Sequence, residues 1–219
     1  MNVLKKHSAF GTELPGLKII IRLCAVFVMF LLTPATASVI NIQSSKGVIS
    51  IPGFRTYIAS GYVPSAQNII FLKEIKDKAS GLRLVAFDLS KNNAAMLMCR
   101  MSYPVYGPKK TPFASLLEAA MNLELGESGL VTPDLPRLQG VVDEFDFSSV
   151  GGGKWVMRVT FSLAGKEPLT IGHVHSFSIS GSAGSACKDV TDAMVPAVEL
   201  LLGAFYSDPR FLELMQKDP

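Results

Sequence analysis

A run of nine residues limits what this chain can fold into more than any other. At 155–163 the odd positions Trp155, Met157, Val159, Phe161 and Leu163 are apolar, while Arg158, Thr160 and Ser162 are polar. A period of two with one apolar and one polar face is the pattern of a half-buried antiparallel strand. Its neighbours read the same way. Residues 141–147 place Val141, Phe145 and Phe147 on one face, with Asp143 as a misfit, and the Gly-rich 148–153 suits a hairpin loop. A second turn at 164–168 leads into a strand at 169–180, where Leu169, Ile171, Phe177 and Ile179 share a face. A small-residue loop at 181–186 follows. Val190, Met194, Ala197, Val198, Leu201 and Phe205 then trace one side of a helix that closes over the meander. Pro196 kinks that helix or opens a shorter one. Gly203 or the Ser207-Asp208-Pro209 step ends it, and Phe211, Leu212 and Leu214 form a last turn.

Towards the front, 82–89 and 94–103 read as strands joined by a turn at Lys91-Asn92-Asn93, which tolerates positive φ. The second strand is apolar on both faces, with Leu97, Cys99, Met101 and Tyr103 on one and Met96 and Met98 on the other, so it is expected to be central or beneath a helix. Thr111 as N-cap and Pro112 in the first turn announce a helix with Phe113, Leu116, Leu117, Ala120 and Leu123 on its inner side, stopping at Gly126 or Gly129. The expectation is an α+β domain over 81–219, one antiparallel sheet in the order ββ-α-βββ-α with two helices packed on one face. Residues 38–80 read as an irregular segment with short strands near 48–51 and 57–59. The patch 68–72 fits a strand or a helix start equally.

The first 37 residues are a separate matter. Lys5, Lys6, Lys18 and Arg22 precede an apolar run ending at Leu32, and Ala35-Thr36-Ala37 offers a small-residue cleavage site before Ser38. This is the pattern of a secretory signal peptide, 1–37, cut after Ala37. The apolar run 19–32 is shorter than the roughly 20 residues a spanning helix needs. Cys24 lacks the preceding small residues of a lipidation site, so no lipid anchor is expected. Removing 37 of the 219 residues leaves 182. The 21 basic and 18 acidic residues of the whole chain become 17 of each, which removes the electrostatic case for nucleic acid. An exported chain is placed in the periplasm, where Cys99 and Cys187 are expected to be bridged, two buried free thiols being the alternative.

The strand ending in Ala86-Phe87-Asp88 is one of several features with a family likeness. The others are the helix from Phe113, the following Gly126-Glu127-Ser128-Gly129-Leu130, and the tail Ala197-Val198-Glu199-Leu200-Leu201-Leu202 running to Ser207-Asp208-Pro209-Arg210-Phe211-Leu212. Together they resemble the YajG-type envelope lipoproteins and, more loosely, the auxiliary lipoproteins of ABC transport systems. The resemblance implies a small periplasmic accessory protein rather than an enzyme, with a protein partner in the envelope and no cofactor.

The candidate chemistry is sparse. His173 and His175 point the same way on a strand and could share one metal. Met96, Met98, Cys99 and Met101 are soft ligands of the kind a copper(I) site uses, but they divide between two faces. A periplasmic copper-type binding protein using Met96, Met98, His173 and His175 is therefore the alternative function. Ser185 precedes a helix without the nucleophile-elbow setting and reads as its cap. Asp143, Glu144 and Asp146 alternate along one strand. Gly151-Gly152-Gly153-Lys154 lacks the Ser/Thr and the following helix of a phosphate loop.

Overall fold

The structure is a computed structural model that describes residues 48–51, 54–79, 81–91, 93–133 and 135–216. The expected signal peptide at 1–37 lies outside the described residues, as does Asn92 of the expected turn. The described residues all belong to the unit Ile40–Pro219.

The α+β class holds, built as two four-stranded sheets instead of one. The strands are β1 (Val48–Ile51), β2 (Phe54–Ile58), β3 (Arg83–Phe87), β4 (Met96–Cys99), β5 (Tyr103–Tyr106), β6 (Arg137–Ser148), β7 (Gly153–Ser162) and β8 (Leu169–Phe177). The helices are α1 (Ala66–Ile75), α2 (Phe113–Ser128), α3 (Ala183–Asp192), α4 (Met194–Ser207) and α5 (Pro209–Met215). The first sheet has the order β1-β2-β5-β4 and the second β3-β6-β7-β8. Each contains one parallel pair, β2 with β5 and β3 with β6, so neither is wholly antiparallel. The segment 38–80 thus supplies two strands and a helix to the fold, and the ambiguous 68–72 is helical.

The expected hairpin between 82–89 and 94–103 does not form. The free edge of β3 is already taken: Asn122 on α2 accepts from Val85 N (2.6 Å) and donates to Val85 O (3.0 Å), and Phe87 N donates to Glu118 Oε2 (2.7 Å). Side chains of a helix therefore occupy the place of a neighbouring strand and cap an edge that would otherwise invite pairing. The stretch 94–103 instead turns back on itself. Arg100 (φ 50°) and Met101 (φ 56°) are both left-handed, and Ser102 N donates to Cys99 O (3.2 Å). A tight turn with two positive-φ residues matches the twist of a hairpin. β4 is consequently an edge strand, not a central one, and Met96 and Met98 face solvent.

In the second sheet the alternation of β7 holds along its length: Trp155, Met157, Val159 and Phe161 are buried. The helices cover this face, with α2 against β3 and β6, α4 against β7 and β8, and α3 against β7. Asp143 is explained by a β-bulge. The pairing runs Val142↔Val159 and then Glu144↔Arg158, so Asp143 is the extra residue, turned outward with Oδ2 accepting from Thr160 Oγ1 at 2.7 Å. The bulge shifts the phase of the strand. Leu138 and Val142 point inward before it and Phe145 after it, so Val142, not Val141, shares the buried face with Phe145.

A chain of rings fills the core. Phe113 stacks on Phe145 (4.6 Å), which meets Trp155 (5.3 Å); Phe161 stacks on Phe205 (3.9 Å), which meets Phe211 (4.7 Å). At Gly140 a Cβ would come within 2.7 Å of the Phe87 ring, so glycine lets the cross-strand aromatic lie over it.

The helix termini depart from expectation by small steps. Pro112 occupies the cap of α2 and Phe113 opens the helix, while Thr111 bonds Pro108 O instead of capping. Gly129 (φ 74°) closes it, with Leu130 N reaching back to Leu125 O. The closing helix is two helices. In an unbroken one Pro196 would owe Asp192 O an N–H it lacks, and its ring would strike that carbonyl. The break falls at Ala193, Pro196 sits in the first turn of α4, and α4 runs through Gly203 to Ser207. Ser182, not Ser185, caps α3 by accepting from Ser185 N.

Candidate functional site

The residues that the sequence singles out are dispersed. His173 and His175 share a face of β8, half-buried. Burial and the neighbouring His175 push His173 below the usual histidine range, and its Nε2 has no hydrogen-bond partner. His175 lies flat against Phe177 (6.2 Å). Among the described residues no group of three His, Cys, Asp or Glu stands where it could hold a metal. Met96 and Met98 are exposed on β4 and Met101 is 93 % exposed in the turn, whereas Cys99 on the opposite face is buried and bonded to Cys187 (S–S 2.06 Å). The cysteine is thereby removed from the soft-ligand set. Ser185 bonds Ser182 in the first turn of α3. Glu144 pairs with Arg158 (3.4 Å) on the outer face of the second sheet.

The disulfide ties the two halves of the architecture. α3 packs on β2 and β5 of the first sheet and on β7 of the second. Its Cys187 is bonded to edge strand β4, and its Val190 carbonyl accepts from Trp155 Nε1 at 3.0 Å. One helix is thus held to one sheet covalently and to the other by a buried hydrogen bond.

The structure assembles one polar cluster that periodicity does not suggest. Glu124, on α2, is fully buried. Its Oε1 accepts from Tyr62 Oη (2.5 Å), Ser65 N (2.9 Å) and Asn68 Nδ2 (3.1 Å), and Oε2 accepts from Asn68 Nδ2 at 3.3 Å. These partners are uncharged donors, the complement of an acceptor-only carboxylate. Tyr206 lies against the same carboxylate, fully buried, without a hydrogen bond of regular geometry. Burial, then the hydrogen bond to Glu124 and the charges of Glu124 and Glu199, drive the Tyr62 hydroxyl far above the ordinary tyrosine range. Burial and the Glu124 charge do the same to Tyr206. Glu199 is raised, first by burial and then by Glu124.

Beside this cluster α1 and α4 enclose a cleft of about 340 Å³. The helices approach closely because of Gly203: a Cβ there would stand 2.8 Å from Asn68 Oδ1. Asn68 also donates to the Glu199 backbone carbonyl (3.0 Å), so one amide joins α1, α2 and α4. The sequence signal for the cluster is Glu124 itself, a charged residue amid the apolar positions of α2 (Ala120, Met121, Leu125). A second cleft, about 330 Å³, lies between the 166–169 turn and α5, where Arg210 is already paired with Asp208 (2.6 Å).

No family model matches the chain, and no curated protein matches it in sequence. Among solved structures, the chain is similar to protein XCC0632 from Xanthomonas campestris, described as DUF330, at 10 % identity and a TM-score of 0.44, covering 69 % of this chain and 94 % of that one. It is also similar to an uncharacterised protein at 10 % identity and a TM-score of 0.32, covering 68 % and 86 %. Likenesses this distant carry no argument about function.

Proposed function

We propose that the chain is an exported protein of the cell envelope that acts by binding a protein partner and not by catalysis. The observation that carries this reading is the Cys99–Cys187 disulfide, buried at both ends. Such bonds persist in oxidising compartments and are rare where thiols are kept reduced. The leader pattern at 1–37 agrees with it. β4 is an edge strand with Met96 and Met98 exposed on its outer face and Met101 in the turn beside it, and such an edge is the type of surface that pairs with another chain.

Fractionation tests the address: the protein is expected outside the cytoplasm, beginning at Ser38, with Cys99 and Cys187 refusing alkylation until reduced. A cytoplasmic protein with two modifiable thiols would overturn it. Pull-down from cross-linked envelopes tests the activity; recovery of no envelope protein above background counts against partner binding. Copper(I) handling is a second reading, favoured by the accessible thioethers of Met96 and Met98. Anaerobic titration of the protein with copper(I) against a competing chelator separates the two.

A further inference from the structure

The cleft between α1 and α4 is lined by Asn68, Phe71, Glu199, Leu200, Gly203 and Tyr206 among others. Besides the hydroxyls of Ser65, Tyr206 and Ser207 and the amide of Gln67, it offers two acceptors. Asn68 commits its amide nitrogen inward, to Glu124 and to the Glu199 carbonyl, which fixes the orientation of the amide and leaves Oδ1 facing Gly203. Neither that oxygen nor the Glu199 carboxylate receives a donor from the described residues. Behind them Tyr206 Oη is fully buried, faces the Glu124 carboxylate and has no regular hydrogen bond. Phe71 and the exposed Leu200 supply apolar flanks. Burial, and then the charge of Glu124, hold the Glu199 carboxyl above its ordinary range, and no ion pair with either carboxylate occurs among the described residues.

A group that completes this arrangement carries positive charge, donates hydrogen bonds without needing to accept any, and arrives on an aliphatic stem. A lysine side chain has all three properties. We propose that the cleft receives the ε-ammonium of a lysine presented by the protein partner, with Glu199 as counter-ion, Asn68 Oδ1 as second acceptor, and Phe71 and Leu200 beside the stem. This rests on the partner-binding reading and names the chemistry of one contact within it. Glu124 is buried and already engaged by Tyr62, Ser65 N and Asn68, so Glu199 and Asn68 Oδ1 fall well short of the roughly six or more oxygens that a divalent cation such as calcium takes.

The test is an NMR titration of the full mature chain with N-acetyl-lysine methylamide, in parallel with a Glu199→Gln variant whose fold is checked by its melting curve. The mimic is expected to move the Asn68 side-chain amide and the Leu200 and Gly203 backbone signals. Its affinity should fall about tenfold or more in Glu199→Gln, the loss of a charge-assisted hydrogen bond. Signals that stay still in the wild type, or equal affinity for the variant, overturn the proposal. So does tighter binding of 1,5-diaminopentane, which would assign the cleft to a free diamine. The envelope pull-down, repeated with the variant, keeps the two readings apart. A partner held equally by wild type and variant sinks the lysine contact and leaves partner binding standing. A wild type that recovers nothing removes the partner, and the lysine with it.

Discussion

Glu124 has an unusual arrangement for a buried acid: it is held by a tyrosine, an asparagine and a backbone N–H, with no cation paired to it among the described residues. Its removal takes the acceptor from Tyr62 Oη and Ser65 N and leaves Asn68 Nδ2 with the Glu199 carbonyl alone, and a buried unsatisfied polar group costs about 1–3 kcal/mol. Glu124→Leu is therefore expected to lower stability by about 3 kcal/mol or more in urea unfolding, although leucine is the more apolar residue. Glu199 acts in the opposite sense. Its folded-state carboxyl is raised above the ordinary 4.5, so between that value and the raised one the folded chain binds more protons than the unfolded one. Stability from this group rises as pH falls through that window and is lost as pH climbs out of it. Glu199→Gln should thus be more stable than the wild type at neutral pH, with the difference closing as the solution is acidified to the ordinary carboxylate range, in the same urea assay. Glu199 does not stand out in the sequence, and Glu124 does so only as a charge among the apolar positions of α2. What that charge meets is not written locally: only the close approach that Gly203 permits shows that α1 and α4 come together beside it.

Much of the element pattern is legible in the sequence because it depends on local alternation. β7 follows from five apolar residues at a period of two, and α2 from its apolar spacing and the glycine at its end. The remainder is set by partners distant in sequence. β3 reads as half of a hairpin until Asn122 and Glu118 are known to occupy its free edge. Asp143 reads as an error in the pattern until β7 shows that one strand carries an extra residue. The turn at Arg100 and Met101 has no Asn-Gly signature, so nothing in its composition marks a reversal. Two residues with side chains held at positive φ cost on the order of 1 kcal/mol each. Met101→Gly is accordingly expected to stabilise the protein by up to about 1 kcal/mol, less what glycine's greater freedom in the unfolded chain takes back, measured by the midpoint of urea unfolding. A loss instead of a gain would mean that the exposed Met101 side chain contributes packing that its 93 % exposure does not suggest.

For the molecule as a whole the covalent tie dominates. Cys99 and Cys187 are 88 residues apart in sequence, and their bond joins the edge of the first sheet to the helix that packs on both sheets. On the chain-entropy account a loop of that length is worth about 4–5 kcal/mol. The Cys99→Ala, Cys187→Ala double variant should lose that much in urea unfolding, and the wild type should match it once a reductant is added. The separation also has a consequence for biogenesis. The chain holds three cysteines, and the third, Cys24, lies in the leader that we propose is cut away. A polypeptide made from its N-terminus delivers Cys99 well before its mate. In the exported form that we propose, residues 38–219 hold no third cysteine sulfur to pair wrongly in that interval. With a single connectivity open to those residues, such export calls for an oxidase to make the bond and gives an isomerase nothing to correct within them.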